Sequence, residues 1–153
     1  MFSAHEILDI ALNIENEGFK FYKDMTEKAR DESARSTFEF LASQEKEHIV
    51  TFRELLKRFE EEAQELVNWD EATEYLKTLS EHKIFPDAGT LKEMFKDSSP
   101  EDVVKYSIER EKDSIIFYYD LLEILADHEA KEAVKKIIKE EKKHVVILRD
   151  LLK

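Results

Sequence analysis

Two Glu-x-x-His motifs, Glu45/His48 and Glu141/His144, stand in the middle of predicted helices. Residues three positions apart lie on one face of a helix, so each pair can reach a common ligand. Apolar residues continue that face on both sides of each motif in alternating steps of three and four, which is typical of a core-facing stripe. Ionisable groups at core positions are costly unless something compensates their charge. A bound metal ion would do so, and carboxylate with imidazole suits iron or manganese.

The sequence repeats with a shift of 96 residues, which places the first motif on the second without a gap. The same shift aligns Glu15 with Glu111 and Tyr22 with Tyr118. In both halves a lone glutamate therefore precedes the motif glutamate by 30 residues. The repeat predicts two copies of one helical hairpin, each with a glutamate on its first helix and Glu-x-x-His on its second.

The first helix offers two candidates for its lone glutamate. Glu15 lies on one inward stripe, and Glu17 lies on a second apolar line formed with three isoleucines and a phenylalanine. Periodicity alone does not choose between them. The repeat favours Glu15, because Glu111 lies on the stripe of the third helix whereas Asp113, the counterpart of Glu17, lies off it.

The composition favours long helices and excludes several functions. The 153 residues include only 2 Gly and 2 Pro, and 39% are charged, which fits one helical domain. The net charge of -12 argues against binding to nucleic acid or to anionic membranes. The chain has no cysteine, which excludes disulfides, thiolate zinc sites and iron–sulfur clusters. No apolar run approaches a membrane span, and the N-terminus does not resemble a signal peptide, so we expect a cytoplasmic protein.

We predict an all-α four-helix bundle that forms a single domain over 1-153. Its parts are hairpin 1 over 3-62, a crossover connection over 64-99 and hairpin 2 over 100-152. Ser3 begins the first helix, which runs to about 30, and the second runs from 33 to 62. Ser99 and Pro100 begin the third helix, which runs to about 126. The fourth runs from 129 almost to 153, with Asp127 as its predicted cap.

Within the connection we predict short helices over 70–79 and 90–96, the second capped by Thr90. Trp69, Phe85 and Phe95 are expected to hold the connection against the bundle. The remaining histidines are expected on the surface, since they lie at helix ends or in the connection: His5, His82 and His128.

Packing the two hairpins together brings four carboxylates and two imidazoles into the core, as in di-iron and di-manganese carboxylate proteins. The lone glutamates can bridge or chelate from the facing helices. Gly18 and Ser114, three residues after them, are small and leave room. Tyr22 and Tyr118 either hydrogen-bond a ligand carboxylate or pack as core aromatics. The alternative for the two motifs is a buried salt-bridge network, although Lys and Arg are missing from these stripes. The alternative for the lone glutamates is an exposed position on the flank of a helix.

The pattern resembles the ferritin-like superfamily and, within it, the rubrerythrin-related proteins. The residues that carry the resemblance are 14–22, 40–48, 111–118 and 140–144, so it covers both hairpins and leaves the connection unmatched. The resemblance implies two iron ions per chain, with manganese or a mixed metal pair as alternatives. It implies these metal ligands: Glu15, Glu45, His48, Glu111, Glu141 and His144.

The resemblance also implies redox chemistry with peroxide or dioxygen, or oxidation of Fe(II), as well as a homodimer. Iron storage and a metal-free helical module for protein partners remain alternatives.

The sequence departs from the rubrerythrin pattern in two ways. Rubrerythrins carry a cysteine-ligated rubredoxin domain, and this chain has no cysteine, so an external protein must donate electrons. Rubrerythrins also carry an extra glutamate on the third helix, at the position of Ser114 in this chain. Gly18 occupies the equivalent position of the first helix. The absence of this glutamate argues against the rubrerythrin peroxidase mechanism.

Overall fold

The computed structural model describes residues 4–62, 78 and 88–153. The chain forms four long helices and one short helix within these ranges, and no strand. In chain order they are α1 (Ala4–Lys28), α2 (Glu32–Glu62), α3 (Ala88–Met94), α4 (Pro100–Ile124) and α5 (His128–Asp150). The predicted all-α four-helix bundle is confirmed.

The two hairpins pack into one bundle. Helix α1 packs along α2, and α4 packs along α5. The hairpins then meet through α2 against α5 and through α1 against α4. Each of the four long helices therefore has two neighbours and turns one stripe towards a common axis, as the spacing of its apolar residues predicts.

The core consists of the predicted stripes. Leu8, Leu41, Phe52, Leu121 and Leu148 come from all four long helices, and none of their surface is exposed. Burial of such side chains stabilises a fold by roughly 1.5–3 kcal/mol each. The stripes continue above and below the ionisable residues, so the polar cluster lies within an apolar core.

Side-chain caps decide where the helices begin, and the observed starts differ slightly from the predicted ones. Ser99 and Asp102 form a capping box at the start of α4: the Ser99 hydroxyl accepts from the Asp102 N–H at 3.1 Å. Asp127 caps α5 as predicted, because its carboxylate accepts from the Ala130 N–H at 2.8 Å. Helix α2 begins one residue before Ser33, since the carboxylate of Asp31 accepts from the Ala34 N–H at 2.7 Å.

Four other predicted boundaries were wrong by about two residues. Helix α1 ends at Lys28 rather than near 30. Helix α3 spans Ala88–Met94 rather than 90–96, so Thr90 lies inside the helix and does not cap its start. Helix α4 ends at Ile124 rather than near 126, because Leu125 is already extended with φ -69° and ψ 128°. Helix α5 ends at Asp150, three residues before the end of the chain.

Most of the predicted connection lies outside the described residues, including Trp69, Phe85 and all of the predicted helix over 70–79 except residue 78. Phe95, which follows α3, packs against Phe21 of α1 and Tyr106 of α4, with ring centroids 6.4 and 5.2 Å apart. Among the described helices, none has the length and apolar character needed to cross a bilayer.

Candidate metal centre

The structure buries all six predicted ligands at the centre of the bundle. Each is at most 2% exposed. Helix α1 contributes one of them, α2 two, α4 one and α5 two: Glu15, Glu45, His48, Glu111, Glu141 and His144. Glu17, the rival on α1, is only half-buried and is not among the clustered residues.

The six side chains form two overlapping groups of possible metal ligands. Glu15 and His48 belong to one group, and Glu111 and His144 belong to the other. Both groups also include Glu45 and Glu141. Within each group the ligand atoms lie within 4.8 Å of one another. The residues common to both groups are thus the motif glutamates and not the lone glutamates that sequence reasoning offered as bridges.

The Nδ1 atoms of both histidines face the carboxylates. His48 Nδ1 lies 3.1 Å from Glu141 Oε1 and 3.4 Å from Glu15 Oε2. His144 Nδ1 lies 3.1 Å from Glu141 Oε2 and 3.6 Å from oxygens of Glu45 and Glu111. The two rings are roughly parallel, with centroids 6.0 Å apart. Each imidazole therefore aims one nitrogen at one group of carboxylates.

The two buried tyrosines bond the lone glutamates crosswise between the hairpins. Tyr22 of α1 donates to Glu111 of α4, and Tyr118 of α4 donates to Glu15 of α1, both at 2.5 Å. Burial, together with the neighbouring carboxylates, raises the pKa of both phenols well above 10. They therefore remain protonated donors. They are core aromatics as well, since Phe52 stacks on Tyr118 with centroids 5.5 Å apart.

The carboxylates hold the metal-free histidines in their charged form. Burial alone would lower the pKa of His48, but the charge of Glu15 and the hydrogen bond with Glu141 outweigh it and raise the pKa to about 11. Burial opposes charging of His144 too, yet hydrogen bonds with Glu111 and Glu141 raise its pKa to about 10. Burial and the neighbouring carboxylates raise the pKa of Glu141 well above 4.5. Without a bound metal ion, protons on these buried groups therefore compensate the negative charge of the cluster.

The residues fit a pair of divalent cations. Four glutamates can neutralise two such ions, and their oxygen and imidazole donors suit iron or manganese. Among the described residues, Glu15 Oε2 is fully buried and accepts no hydrogen bond. The nearest positive group to this oxygen is the Nδ1 atom of His48 at 3.4 Å, and a bound cation would replace that proton as the compensating charge. In the part of the chain that the structure describes, the carboxylates of the cluster pair with His48 and His144 and not with Lys or Arg, so the alternative salt-bridge network would consist of glutamate and histidine alone.

Sequence reasoning missed the contact made by Glu140. Its Oε2 atom lies 2.6 Å from Nε2 of His48, on the ring edge opposite the carboxylate cluster. The sequence contains one indication of this contact: the two halves of the repeat differ here, because Glu140 aligns with Gln44. Gly18 and Ser114, the small residues three positions after the lone glutamates, are both buried. His5 and His128 are exposed, and His82 lies outside the described residues.

Comparison with known proteins agrees with this architecture. The fold and the buried carboxylate–histidine cluster define the ferritin-like class of four-helix bundles. The family model described as Rubrerythrin matches residues 6–152. A crystal structure from Thermotoga maritima, titled as a candidate ferritin-like diiron-carboxylate protein, is 31% identical, with a TM-score of 0.77 over 99% of this chain and 95% of that one. The chain therefore belongs to the rubrerythrin family. A search of curated proteins finds no match.

Proposed function

We propose that this protein is a di-iron carboxylate oxidoreductase that reacts with peroxide or dioxygen, or oxidises Fe(II). The observation that carries the proposal is the pair of overlapping ligand groups, which share Glu45 and Glu141. Two cations bound by shared carboxylates would lie close together, as two-electron chemistry at a metal pair requires. Family membership supports iron as the metal.

The chain's own residues would bind, orient and shield such a metal pair. Glu15 and His48 would complete one position, while Glu111 and His144 would complete the other. Tyr118 holds Oε1 of Glu15, whose Oε2 atom lies 3.4 Å from His48 Nδ1. Tyr22 holds Oε1 of Glu111, the same oxygen that lies 3.6 Å from His144 Nδ1. When bound, the metal pair supplies the electrons and the open coordination positions at which a small oxidant reacts.

Sustained turnover would require an external electron donor if the substrate is peroxide or dioxygen. The 153 residues contain no cysteine and therefore no thiolate-ligated iron centre. We propose that a separate redox protein supplies the electrons and that the chain works as a homodimer. Ser114 supports a dioxygen or Fe(II) reaction over the rubrerythrin peroxidase mechanism, since its hydroxyl bonds the Arg110 carbonyl at 3.1 Å and offers no carboxylate.

Anaerobic loading of the full chain with Fe(II) tests the proposal. We expect two irons per chain, and loss of iron in Glu141→Ala and His144→Ala. Glu132→Gln is the matched control, since Glu132 lies exposed on the same helix and pairs with Lys135. Absence of tightly bound iron from a protein with an unchanged helical circular dichroism spectrum would contradict the proposal.

Rapid mixing of the loaded protein with peroxide and with dioxygen ranks the possible reactions. Faster oxidation by peroxide would indicate a peroxidase, and faster oxidation by dioxygen would indicate an oxidase or ferroxidase. Continued uptake of iron far beyond two ions per chain, together with a large closed assembly by light scattering, would instead indicate iron storage.

A further inference from the structure

Two consecutive glutamates of α5 hold the ring of His48 from both edges. Glu141 Oε1 lies 3.1 Å from Nδ1, and Glu140 Oε2 lies 2.6 Å from Nε2. His48 is 2% exposed, whereas the Glu140 side chain is 21% exposed. Glu140 thus lies at the outer edge of the cluster, and it contacts the histidine rather than the other ligands.

His144 has no such partner at its outer edge. Its Nε2 atom is buried and makes no hydrogen bond to any residue that the structure describes. The position that corresponds to Glu140 in the other hairpin is Gln44, whose amide instead donates to Glu47 at 3.4 Å. The His144 ring packs against Phe40 in a T-shaped arrangement, with ring centroids 6.5 Å apart. The two halves of the centre are therefore alike in ligands and unlike in what supports their histidines.

An outer carboxylate changes how a histidine binds a cation. A histidine that binds through one ring nitrogen donates its other N–H, and a carboxylate acceptor fixes the tautomer and the ring orientation. With the proton of His48 held on Nε2 by Glu140, the Nδ1 lone pair points at the group that contains Glu15. The carboxylate also makes the imidazole more basic and therefore a stronger ligand. His144 lacks both effects.

We infer that Glu140 is a positioning residue that makes the two metal positions unequal, so that the position at His48 binds a divalent cation more tightly and fills first. The inference rests on the proposed function, since it needs metal at both positions. Loss of an outer partner of this kind typically weakens metal binding 10–100-fold. We therefore expect the two dissociation constants to differ by about that factor.

Anaerobic titration of the metal-free protein with Co(II), followed by visible absorption and calorimetry, measures both steps. We expect two cations per chain in two resolved steps. Glu140→Gln should weaken the first step roughly 10–100-fold and bring the two constants together. Gln44→Glu supplies a carboxylate at the corresponding position, so it should tighten the second step. Glu132→Gln should change neither constant.

The ring N–H protons give a readout that a merely structural role would not change. In the Co(II)-loaded protein, proton NMR resolves the ring N–H of each metal-bound histidine. We expect the Nε2–H of His48 to exchange slowly with deuterium, because Glu140 accepts it, and that of His144 to exchange faster. Glu140→Gln should accelerate the exchange at His48 alone.

The outcomes separate this inference from the proposed function. Two cations bound with equal constants in the wild type, or an equal effect of Glu140→Gln on both steps, would overturn the inference and leave the metal centre intact. Absence of bound Co(II) would overturn both. Unequal constants that converge in Glu140→Gln, with slow exchange at His48 only, would establish the inference.

Discussion

Each lone glutamate of the cluster depends on a tyrosine from the other hairpin. Tyr118 reaches Glu15, and Tyr22 reaches Glu111, so the two hydrogen bonds cross the bundle between α1 and α4. Both phenols are fully buried. A buried carboxylate oxygen without its donor costs about 1–3 kcal/mol. The tyrosines thus orient the glutamates and also join the hairpins at the level of the carboxylate–histidine cluster.

We expect Tyr118→Phe and Tyr22→Phe each to weaken binding of the first or second Co(II) by roughly tenfold, because each change removes only the hydroxyl that orients a ligand. Calorimetric titration of the metal-free variants measures the change. Tyr119→Phe is the matched control, since Tyr119 is exposed and its hydroxyl contacts Lys142 away from the cluster. Equal metal binding by all three variants and the wild type would contradict an orienting role.

At the scale of the helices, one arginine ties the end of hairpin 1 to the turn of hairpin 2. Arg58 of α2 contacts the Asp127 carboxylate and lies 2.7 Å from Glu129 at the start of α5. Asp127 also caps α5 through the Ala130 N–H. This backbone hydrogen bond lowers the pKa of Asp127, with a further contribution from Arg58. A single carboxylate therefore serves as a helix cap and as a link between hairpins.

Two substitutions separate these roles. Asparagine caps a helix about as well as aspartate, so Asp127→Asn should lose only the ion pair and cost at most about 1 kcal/mol at this partly exposed site. Asp127→Ala loses the cap too and should cost about 1–2 kcal/mol. Urea unfolding of the metal-free protein at pH 7 measures both. An equal loss in the two variants would show that the ion pair, and not the cap, provides the stabilisation.

The helices and the clustering of the six carboxylate and imidazole side chains could be predicted, because apolar periodicity acts within each helix and the repeat relates equivalent positions of the two hairpins. Stripe spacing fixes which face of each helix is buried, and the repeat chose Glu15 over Glu17. The contacts of Glu140 and the crossed tyrosines could not be predicted, because they depend on the rotation and offset of one hairpin against the other. The start of α2 differs from the prediction by one residue because Asp31 provides the cap. Other helix ends were wrong by about two residues, which is the usual uncertainty of such boundaries.

At the scale of the whole molecule, negative charge is concentrated where the metal would lie. The chain carries a net charge of -12, and four of its glutamates are buried within one cluster. In the metal-free protein the two buried imidazoles carry part of the compensating charge, since their pKa values are raised to about 11 and about 10. Metal binding must therefore displace protons from the histidines. As the pH rises, the stability of the metal-free protein should therefore fall, whereas its affinity for metal should increase.

We expect the metal-free protein to lose stability as the pH rises from 6.5 to 8.5. An unfolded histidine has a pKa near 6.5, whereas His48 and His144 stay protonated in the fold up to about pH 10. Their contribution is full below pH 6.5 and disappears as the pH rises through the folded values. With two more protons bound in the folded state, the free energy of unfolding falls by at most about 3 kcal/mol per pH unit.

Co(II) should oppose this trend, because cations compete better with protons as the pH rises. The increase in melting temperature on metal addition therefore grows between pH 6.5 and 8.5. Thermal unfolding by circular dichroism, with and without Co(II), measures both trends. His128→Gln should keep the wild-type slope, since His128 is exposed, and a His48→Gln/His144→Gln double variant should lack it. A flat or rising profile for the metal-free protein would refute protonated histidines in the cluster, because two neutral imidazoles give no such proton difference between the folded and unfolded states.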